Sequence, residues 1–273
     1  MWVSVTKLWP ASHPHMAAAP SDYERHLVPL ASPQGQALAA YLQDAALSRV
    51  CAASDAFVAQ IEPTWCGLAS ISTALQTLRT LHPSFRSKAE SQEELFEVER
   101  AARGPSLGPS SRQLRGGLSL AEGEALAARL LRGTAWQDAL RRHSADDAHS
   151  FAGALGADLD DLASTAGKIL LVNVLRQVQG AWTGHWMVVA AAIVDPSGEV
   201  WALALDPAAH KLGPHWLPES LLLSTMCTLN YRGEARGYLS LSLAAPSSSA
   251  GLQGATSRLP ASCSHWPRDR EID

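Results

Sequence analysis

The sequence predicts an α+β domain in which a helical N-terminal part precedes an antiparallel sheet. Between residues 32 and 163, apolar residues recur at intervals of three and four, the spacing of amphipathic helices. From Gly167 onward, short apolar runs alternate with Gly, Pro and Asp, as in strands joined by tight turns. Helices that precede strands in this segregated way are typical of α+β architecture.

The first helices are marked by their end signals and apolar spacing. SPQGQALAAYLQDAALSRVCAASDAFVAQ begins with Ser and Pro and favours one or two helices. In CGLASISTALQTL, residues Leu68, Ile71, Leu75 and Leu78 form one apolar face, which puts Cys66 in the first turn of a helix. RSKAESQEELFEVERAARGPSLGPSSRQLRGG has a charged first half that favours a helix and a Gly-, Pro- and Ser-rich half that favours a loop.

Two further helices and four strands complete the predicted domain. Ser119 and Glu122 form a capping-box pattern ahead of an apolar run. DAHSFAGALGADLDDLA favours a helix, although Gly153 and Gly156 weaken it. KILLVNVL, HWMVVAAAIV, EVWALALD and GYLSLSL are predicted strands, and DPSG is a hairpin turn between the second and third.

Composition excludes several classes of function. The chain has 273 residues, enough for one large domain or two small ones, and a net charge of -4 without the clustered basic surface that nucleic acid requires. Its four cysteines are widely spaced and lack the spacing of a zinc site, which indicates a reducing compartment and predicts a cytoplasmic protein. No run of 18 apolar residues predicts a membrane span. A Walker loop and a dinucleotide fingerprint are both missing.

Cys66 is the first candidate for chemistry. At the start of a helix, the dipole and the unpaired N–H groups favour an anion, which can lower the pKa of a thiol and supply a reactive thiolate. The alternative is a small buried hydrophobic residue, because free cysteines are among the most buried residues. The helical pattern alone leaves both interpretations open.

A nucleophilic cysteine needs a base and a group that orients the base. His185 opens a predicted central strand, where Gly184 leaves room for a substrate, and Asp206 ends the next strand, so a hairpin can bring the two together. Gln60 lies six residues before Cys66, and papain-like enzymes place an oxyanion-holding glutamine shortly before their cysteine. Singly, His185 could be a core histidine and Asp206 a turn former; together with Gln60 they favour catalysis.

Two other histidines are candidate metal ligands. His210 and His215 lie in DPAAHKLGPHWLP, but their spacing matches no common motif and no cysteine or carboxylate pair completes a set. The sequence therefore predicts no metal site. A catalytically silent thiol or metal-binding module is disfavoured for the same reason, since the four cysteines do not cluster.

Several blocks of the sequence resemble the phytochelatin synthase family of papain-like transpeptidases. QIEPTWCGLASISTAL is similar to its Q-S-x-P-x-Y-C-G-L-A-S block, and LASPQGQALAAYL and RGGLSLAEGEALA are similar to two of its helices. ILLVNVLRQ, TGHW and LALDPAAHKLGPHWLP resemble its V-N-Y-L-R, G-H-x-S-P and D-V-x-R-x-K-Y-P-P-x-W-V segments. The likeness spans about residues 27–243, within a predicted catalytic domain over 23–245. The prolines of the first segment and the Ser- and Gly-rich composition after Pro246 predict disordered tails at 1–22 and 246–273. Met1 and Met16 both remain candidate starts.

The resemblance implies roles for individual residues. The family nucleophile falls on Cys66, its general base on His185, its orienting acid on Asp206 and its oxyanion glutamine on Gln60.

The resemblance also implies a substrate site and shows departures from the family. An arginine that binds the γ-glutamyl carboxylate falls on Arg236, while Asn230 stands where an aspartate is usual in that substrate site. The arginine of D-V-x-R, which helps to hold the second substrate, is replaced by Ala209. A W-R-W-F segment and a cysteine-rich C-terminal half are not recognisable.

The implied activity is transfer of γ-glutamylcysteine from glutathione through a thioester, with glycine released and phytochelatins made for heavy-metal detoxification. Hydrolysis to γ-glutamylcysteine is the alternative. The implied partners are glutathione and γ-glutamylcysteine peptides, with no nucleic acid and no membrane; a homodimer and a monomer both stay open. No cofactor is expected for acylation, and cadmium or zinc ions are expected as thiolate complexes of the substrate.

Overall fold

The computed structural model describes residues 23–104, 117–134, 136–165 and 167–242. The tails predicted at 1–22 and 246–273 lie outside these ranges, as do residues 105–116 of the predicted Gly-, Pro- and Ser-rich loop.

Seven α-helices and seven strands lie within the described ranges. The helices are α1 (Pro33–Ala39), α2 (Asp44–Ala56), α3 (Cys66–Leu81), α4 (Gln92–Arg103), α5 (Leu120–Leu131), α6 (Ala148–Ser164) and α7 (Glu219–Met226). The strands are β1 (Val28–Pro29), β2 (Leu140–Ser144), β3 (Lys168–Val178), β4 (Ala181–Val194), β5 (Val200–Leu205), β6 (His215–Pro218) and β7 (Gly237–Ser242).

The capping signals begin helices where the sequence predicts them. The Ser32 hydroxyl accepts a hydrogen bond from the Gly35 N–H at 3.0 Å at the start of α1. Ser119 and Glu122 form a reciprocal capping box at the start of α5, which confirms that prediction. The charged segment forms α4, which begins with a second capping box, formed by Ser91 and Glu94, that was not predicted.

All pairings in the sheet are antiparallel, in the order β1-β6-β5-β4-β3-β7-β2, so β4 is the central strand, as predicted. Gln179 and Gly180 join β3 to β4 with φ of 53° and 78°, as two-residue hairpin turns favour. The predicted turn between β4 and β5 is confirmed, because the Gly198 N–H donates to the Asp195 carbonyl at 2.9 Å.

Two hydrophobic clusters cover the two faces of the sheet. Residues of α1 to α5 pack on one face, and residues of α6 and α7 pack on the other. The side chains of β3 alternate between them, with Leu171 in the first cluster and Leu170 and Val172 in the second. The α+β class with helices preceding the sheet is confirmed, with β1, β2 and α7 as local exceptions, and the architecture is consistent with a papain-like fold. None of the described helices is long and apolar enough to cross a membrane.

Candidate active site

Cys66 is the first residue of α3, as the sequence predicts. The preceding Trp65 is fully buried and stacks on Phe96, with ring centroids 4.8 Å apart. Upstream, the Gln60 N–H donates to the Pro207 carbonyl at 2.8 Å. This hydrogen bond joins the segment before the cysteine helix to the residue after Asp206.

Two opposing effects act on the Cys66 thiol. Burial raises the pKa of Cys66, while the backbone N–H groups of Trp186, Gly67 and Cys66 itself and the charge of Arg176 lower it. Burial prevails, so the net shift is upward. The helix start contributes in the expected direction, but it does not by itself make Cys66 a thiolate.

His185 and Asp206 are in direct contact. The His185 Nε2 atom lies 2.7 Å from Asp206 Oδ1, and both side chains are buried. A carboxylate oxygen accepts, so Nε2 is assigned the proton and Nδ1 is left as the basic nitrogen. His185 is the fifth residue of β4 rather than its first, but it is the first buried one.

The Asp206 carboxylate has two further partners. Its Oδ1 atom also accepts from the Ala208 N–H at 2.8 Å, and its Oδ2 atom pairs with Nη1 of Arg176. The Arg176 and Asp206 side chains are 1% and 0% exposed. These contacts give a fully buried carboxylate the compensation that it needs.

The surroundings of His185 keep its imidazole neutral. Burial, followed by the charges of Arg176, His215 and Lys211, holds the pKa of His185 well below its usual range. Together with the raised pKa of the Cys66 thiol, this favours a neutral thiol and a neutral imidazole in the free enzyme.

Trp186 fixes the position of β4 relative to α3 and α5. Its indole Nε1 donates to the Leu118 carbonyl at 2.8 Å. A Cβ added at Gly67 of α3 would lie 3.3 Å from the indole ring, and one at Gly123 of α5 would lie 2.8 Å from it. Two glycines thus allow both helices to approach the ring. The backbone N–H of Trp186 faces the Cys66 thiol.

Arg236 is buried beside the cysteine. Its Nη1 donates to Asn173 Oδ1 at 2.9 Å, while its Nε is buried and has no hydrogen-bond partner among the described residues. Burial lowers the pKa of Arg236 to about 10, and a charge on Cys66 would raise it. The space beside Gly184, expected from sequence to receive substrate, holds this guanidinium instead: a Cβ there would lie 2.9 Å from both Nη atoms.

Gln60 is near the cysteine, but its amide faces its own loop. Its Nε2 donates to the carbonyls of Glu62 at 3.2 Å and Pro63 at 3.1 Å. Its Oε1 is buried without a partner among the described residues. Both amide hydrogens therefore have acceptors in this structure, and the predicted oxyanion role requires the side chain to rearrange.

Asn230 organises the turn before β7. Its Oδ1 accepts from the N–H groups of Arg232 at 2.8 Å and Glu234 at 3.0 Å, and its Nδ2 donates to the Glu234 carboxylate at 2.7 Å. These contacts occupy the Asn230 amide within its own turn. The substrate-binding role of Asn230 stays a prediction.

The competing histidines differ in burial. His210 is exposed, whereas His215 lies in β6 and is buried. Its Nδ1 lies 2.8 Å from the Gly213 carbonyl, and burial lowers the pKa of His215 to about 4. Over the described ranges, no group of three or more His, Cys, Asp or Glu side chains is placed to hold a metal ion.

Sequence reasoning missed three residues of the site, Arg176, Asn173 and Trp186. Arg176 and Asn173 lie in VNVLRQ, where two polar side chains interrupt an apolar strand. A buried strand that carries an asparagine and an arginine has to satisfy them inside the protein, and this was the available signal. Trp186 follows His185 directly, but its packing depends on glycines 63 and 119 positions earlier in the chain.

Comparison with known proteins adds a family assignment. A search of curated proteins finds no match to this chain. The family model described as phytochelatin synthase matches residues 19–238, which is well over half of the chain and includes every candidate residue from Gln60 to Arg236. The chain therefore belongs to the phytochelatin synthase family.

Proposed function

We propose that this protein is a cysteine-dependent γ-glutamylcysteinyl transpeptidase that acts on glutathione and makes phytochelatins. Family membership supports a transferase of γ-glutamylcysteine with glutathione as substrate. The observation that carries the mechanism is the 2.7 Å contact of His185 Nε2 with Asp206 Oδ1. Trp186 follows His185 in β4, and its backbone N–H faces the Cys66 thiol.

In the acylation step, the sulfur of Cys66 attacks the carbonyl carbon of the Cys–Gly bond of glutathione. The thiol proton passes to Nδ1 of His185, and the Asp206 carboxylate stabilises the imidazolium that forms. When the C–N bond breaks, His185 returns this proton to the departing glycine nitrogen. A γ-glutamylcysteinyl thioester on Cys66 remains.

In the transfer step, the amino group of a second glutathione attacks the thioester. His185 accepts the proton of the amine, the C–S bond breaks, and the proton returns to the sulfur of Cys66. The developing oxyanion needs donors in both steps. The N–H of Cys66 at the start of α3 is one, and Gln60 supplies a second after its amide turns from the carbonyls of Glu62 and Pro63.

Arg236 suits the γ-glutamyl carboxylate of the donor. It is buried beside Cys66 and donates to the neutral amide of Asn173, and no carboxylate among the described residues pairs with its charge. A guanidinium that binds a carboxylate satisfies both groups. We propose that the donor substrate binds against Arg236. The turn that Asn230 stabilises lies just before Arg236 in the chain and would border this substrate.

Hydrolysis is the second candidate, and Ala209 favours it. Ala209 lies three positions after Asp206 and is exposed. Its methyl side chain has no charge with which to bind the carboxylate of the acceptor. Arg232 is already engaged, with Nη1 3.0 Å from the Glu122 carboxylate and Nε 2.8 Å from the Tyr231 hydroxyl. Lys211 is exposed and near enough to His185 to affect its pKa, which makes it the candidate replacement.

Metal ions enter this proposal as part of the substrate. Cadmium or zinc bound by glutathione thiolates would reach the enzyme as a complex, with no resident metal needed for acylation. A comparison of turnover with metal-free glutathione and with its cadmium complex tests this part.

Incubation with glutathione, followed by mass spectrometry of products and protein, tests the function. We expect glycine release, an acyl adduct on Cys66 and peptides longer than glutathione. γ-Glutamylcysteine and glycine without longer peptides would identify the hydrolase. Absence of both products would refute either enzyme.

A further inference from the structure

We propose that Arg176 is a positioning residue of this site, which holds the Asp206 carboxylate so that Asp206 can orient His185. The inference rests on the proposed catalytic function of His185 and Asp206. Nothing in the sequence motifs assigns Arg176 a role.

Three adjacent strands bring these residues to one face of the sheet. Val174 of β3 pairs with His185 of β4, and Arg176 lies two residues further along β3, on the same face as Val174. Leu205 at the end of β5 pairs with Val188, so Asp206 follows onto the opposite face, which it shares with His185. The register of β3, β4 and β5 thus brings Arg176, His185 and Asp206 together on one face of the sheet.

The two oxygens of the Asp206 carboxylate bind different partners. Oδ1 accepts hydrogen bonds from His185 and the Ala208 N–H, and Oδ2 pairs with Arg176. With Oδ2 held, the carboxylate cannot rotate away from the imidazole without breaking an ion pair that is almost fully buried. Removing one partner of such a pair leaves an uncompensated buried charge.

The charge of Arg176 also reaches beyond Asp206. It lowers the pKa of His185 and contributes to lowering that of the Cys66 thiol against the effect of burial. The other groups that face His185 or Arg176 from neighbouring elements are Tyr23, Glu24, Lys211 and His215. Loss of Arg176 removes one of the charges that lower the pKa of His185, so the imidazole should protonate at higher pH.

Arg49 provides a matched comparison, because it is a buried arginine with a purely structural environment. Its guanidinium donates to the backbone carbonyls of Ala190, Leu162 and Thr165, which belong to β4 and to the end of α6. Loss of Arg49 should destabilise the fold without changing the charge around His185. Loss of Arg176 should do both.

The test compares Arg176→Gln, Arg176→Lys and Arg49→Gln with the wild type. Arg176→Gln should lower kcat for glycine release about 10- to 150-fold, as expected for loss of a hydrogen bond to a charged group, with KM for glutathione unchanged. The acid limb of its kcat/KM profile should move to higher pH, because that limb reports the base in the free enzyme. Arg176→Lys keeps the charge and should keep the acid limb while losing part of kcat. Arg49→Gln should lower Tm and leave the pH profile as in the wild type.

NMR titration of the His185 ring gives a readout that does not depend on turnover, with His185→Ala used for assignment. A higher titration midpoint in Arg176→Gln shows that the Arg176 charge acts on His185 even if the natural substrate is not glutathione, and the loss of kcat in the same variant supports the positioning of Asp206. An unchanged midpoint with wild-type kcat, or an equal shift in Arg49→Gln, would overturn it. If Arg176→Gln does not fold, Arg176→Lys decides: wild-type kcat in that variant would also overturn it. Failure of the wild type to release glycine would instead refute the proposed function.

Discussion

Substitution of Gly184 by alanine should weaken substrate binding through Arg236. The new Cβ would lie 2.9 Å from Nη1 and Nη2 of Arg236 and 3.3 Å from Cζ, closer than normal contact. The guanidinium therefore has to move, although Asn173 holds it at 2.9 Å and its side chain is buried. Gly184 lies in a regular antiparallel pairing with Leu175, so the strand itself accommodates alanine.

The expected size follows from the contact that is lost. A hydrogen bond to a charged group contributes about 1.5 to 3 kcal/mol, so displacing the guanidinium from the substrate carboxylate should lower kcat/KM about 10- to 150-fold. The carboxylate is remote from the reacting carbonyl and is bound equally before and during reaction. The loss should therefore appear as a raised KM with kcat nearly unchanged.

The assay is the initial rate of glycine release over a range of glutathione concentrations. Gly153→Ala is the matched control, because its Cβ would meet nothing within 4 Å, and it should leave KM unchanged. Arg236→Gln should raise KM at least as much as Gly184→Ala, and the double variant should be no worse than Arg236→Gln alone. A wild-type KM in Gly184→Ala, or additive effects in the double variant, would refute the placement of substrate against Arg236.

Three further predictions concern the thiol and the acceptor. Cys66→Ser should abolish glycine release with the fold intact, whereas Cys227→Ser should retain it; an acyl adduct on any other cysteine would contradict this. Because the pKa of Cys66 is raised, the rate of its alkylation by iodoacetamide should still increase with pH at pH 9. A rate that levels off below pH 7 would contradict a neutral Cys66 thiol beside a neutral His185 imidazole. Ala209→Arg should raise the ratio of phytochelatin to γ-glutamylcysteine about tenfold or more, with glycine release unchanged when acylation limits turnover. If Lys211 already binds the acceptor, the ratio will not change in Ala209→Arg but will fall in Lys211→Gln.

The elements that carry local signals were predictable from sequence. Capping and apolar spacing locate α1, α3 and α5, and alternating apolar runs with turn residues locate β3, β4 and β5. The short strands β1, β2 and β6 were missed. These strands have only two to five residues, too few to show an alternating apolar pattern, and their pairing depends on the neighbouring strands.

The site was predictable only as far as a motif or a hairpin reaches. His185 and Asp206 meet because β4 and β5 are consecutive and antiparallel, which the sequence indicates directly. Arg236 fills the space beside Gly184 from a residue 52 positions later, and no local pattern reports such a contact. Burial likewise depends on the whole fold, and it reverses the pKa shift that the helix start alone predicts for Cys66.

The resting protonation state connects these features into one mechanism. Burial disfavours both the thiolate of Cys66 and the imidazolium of His185, so charge separation costs free energy in the empty site. The groups that stabilise the separated charges are nevertheless in place: N–H groups face the sulfur, and the Asp206 carboxylate faces the imidazole. Such preorganised dipoles act most strongly when charge develops in the transition state. In a site of this kind, Cys66 should react slowly with thiol-alkylating reagents at neutral pH. It should act as a nucleophile mainly toward the carbonyl of a substrate that Arg236 holds in place.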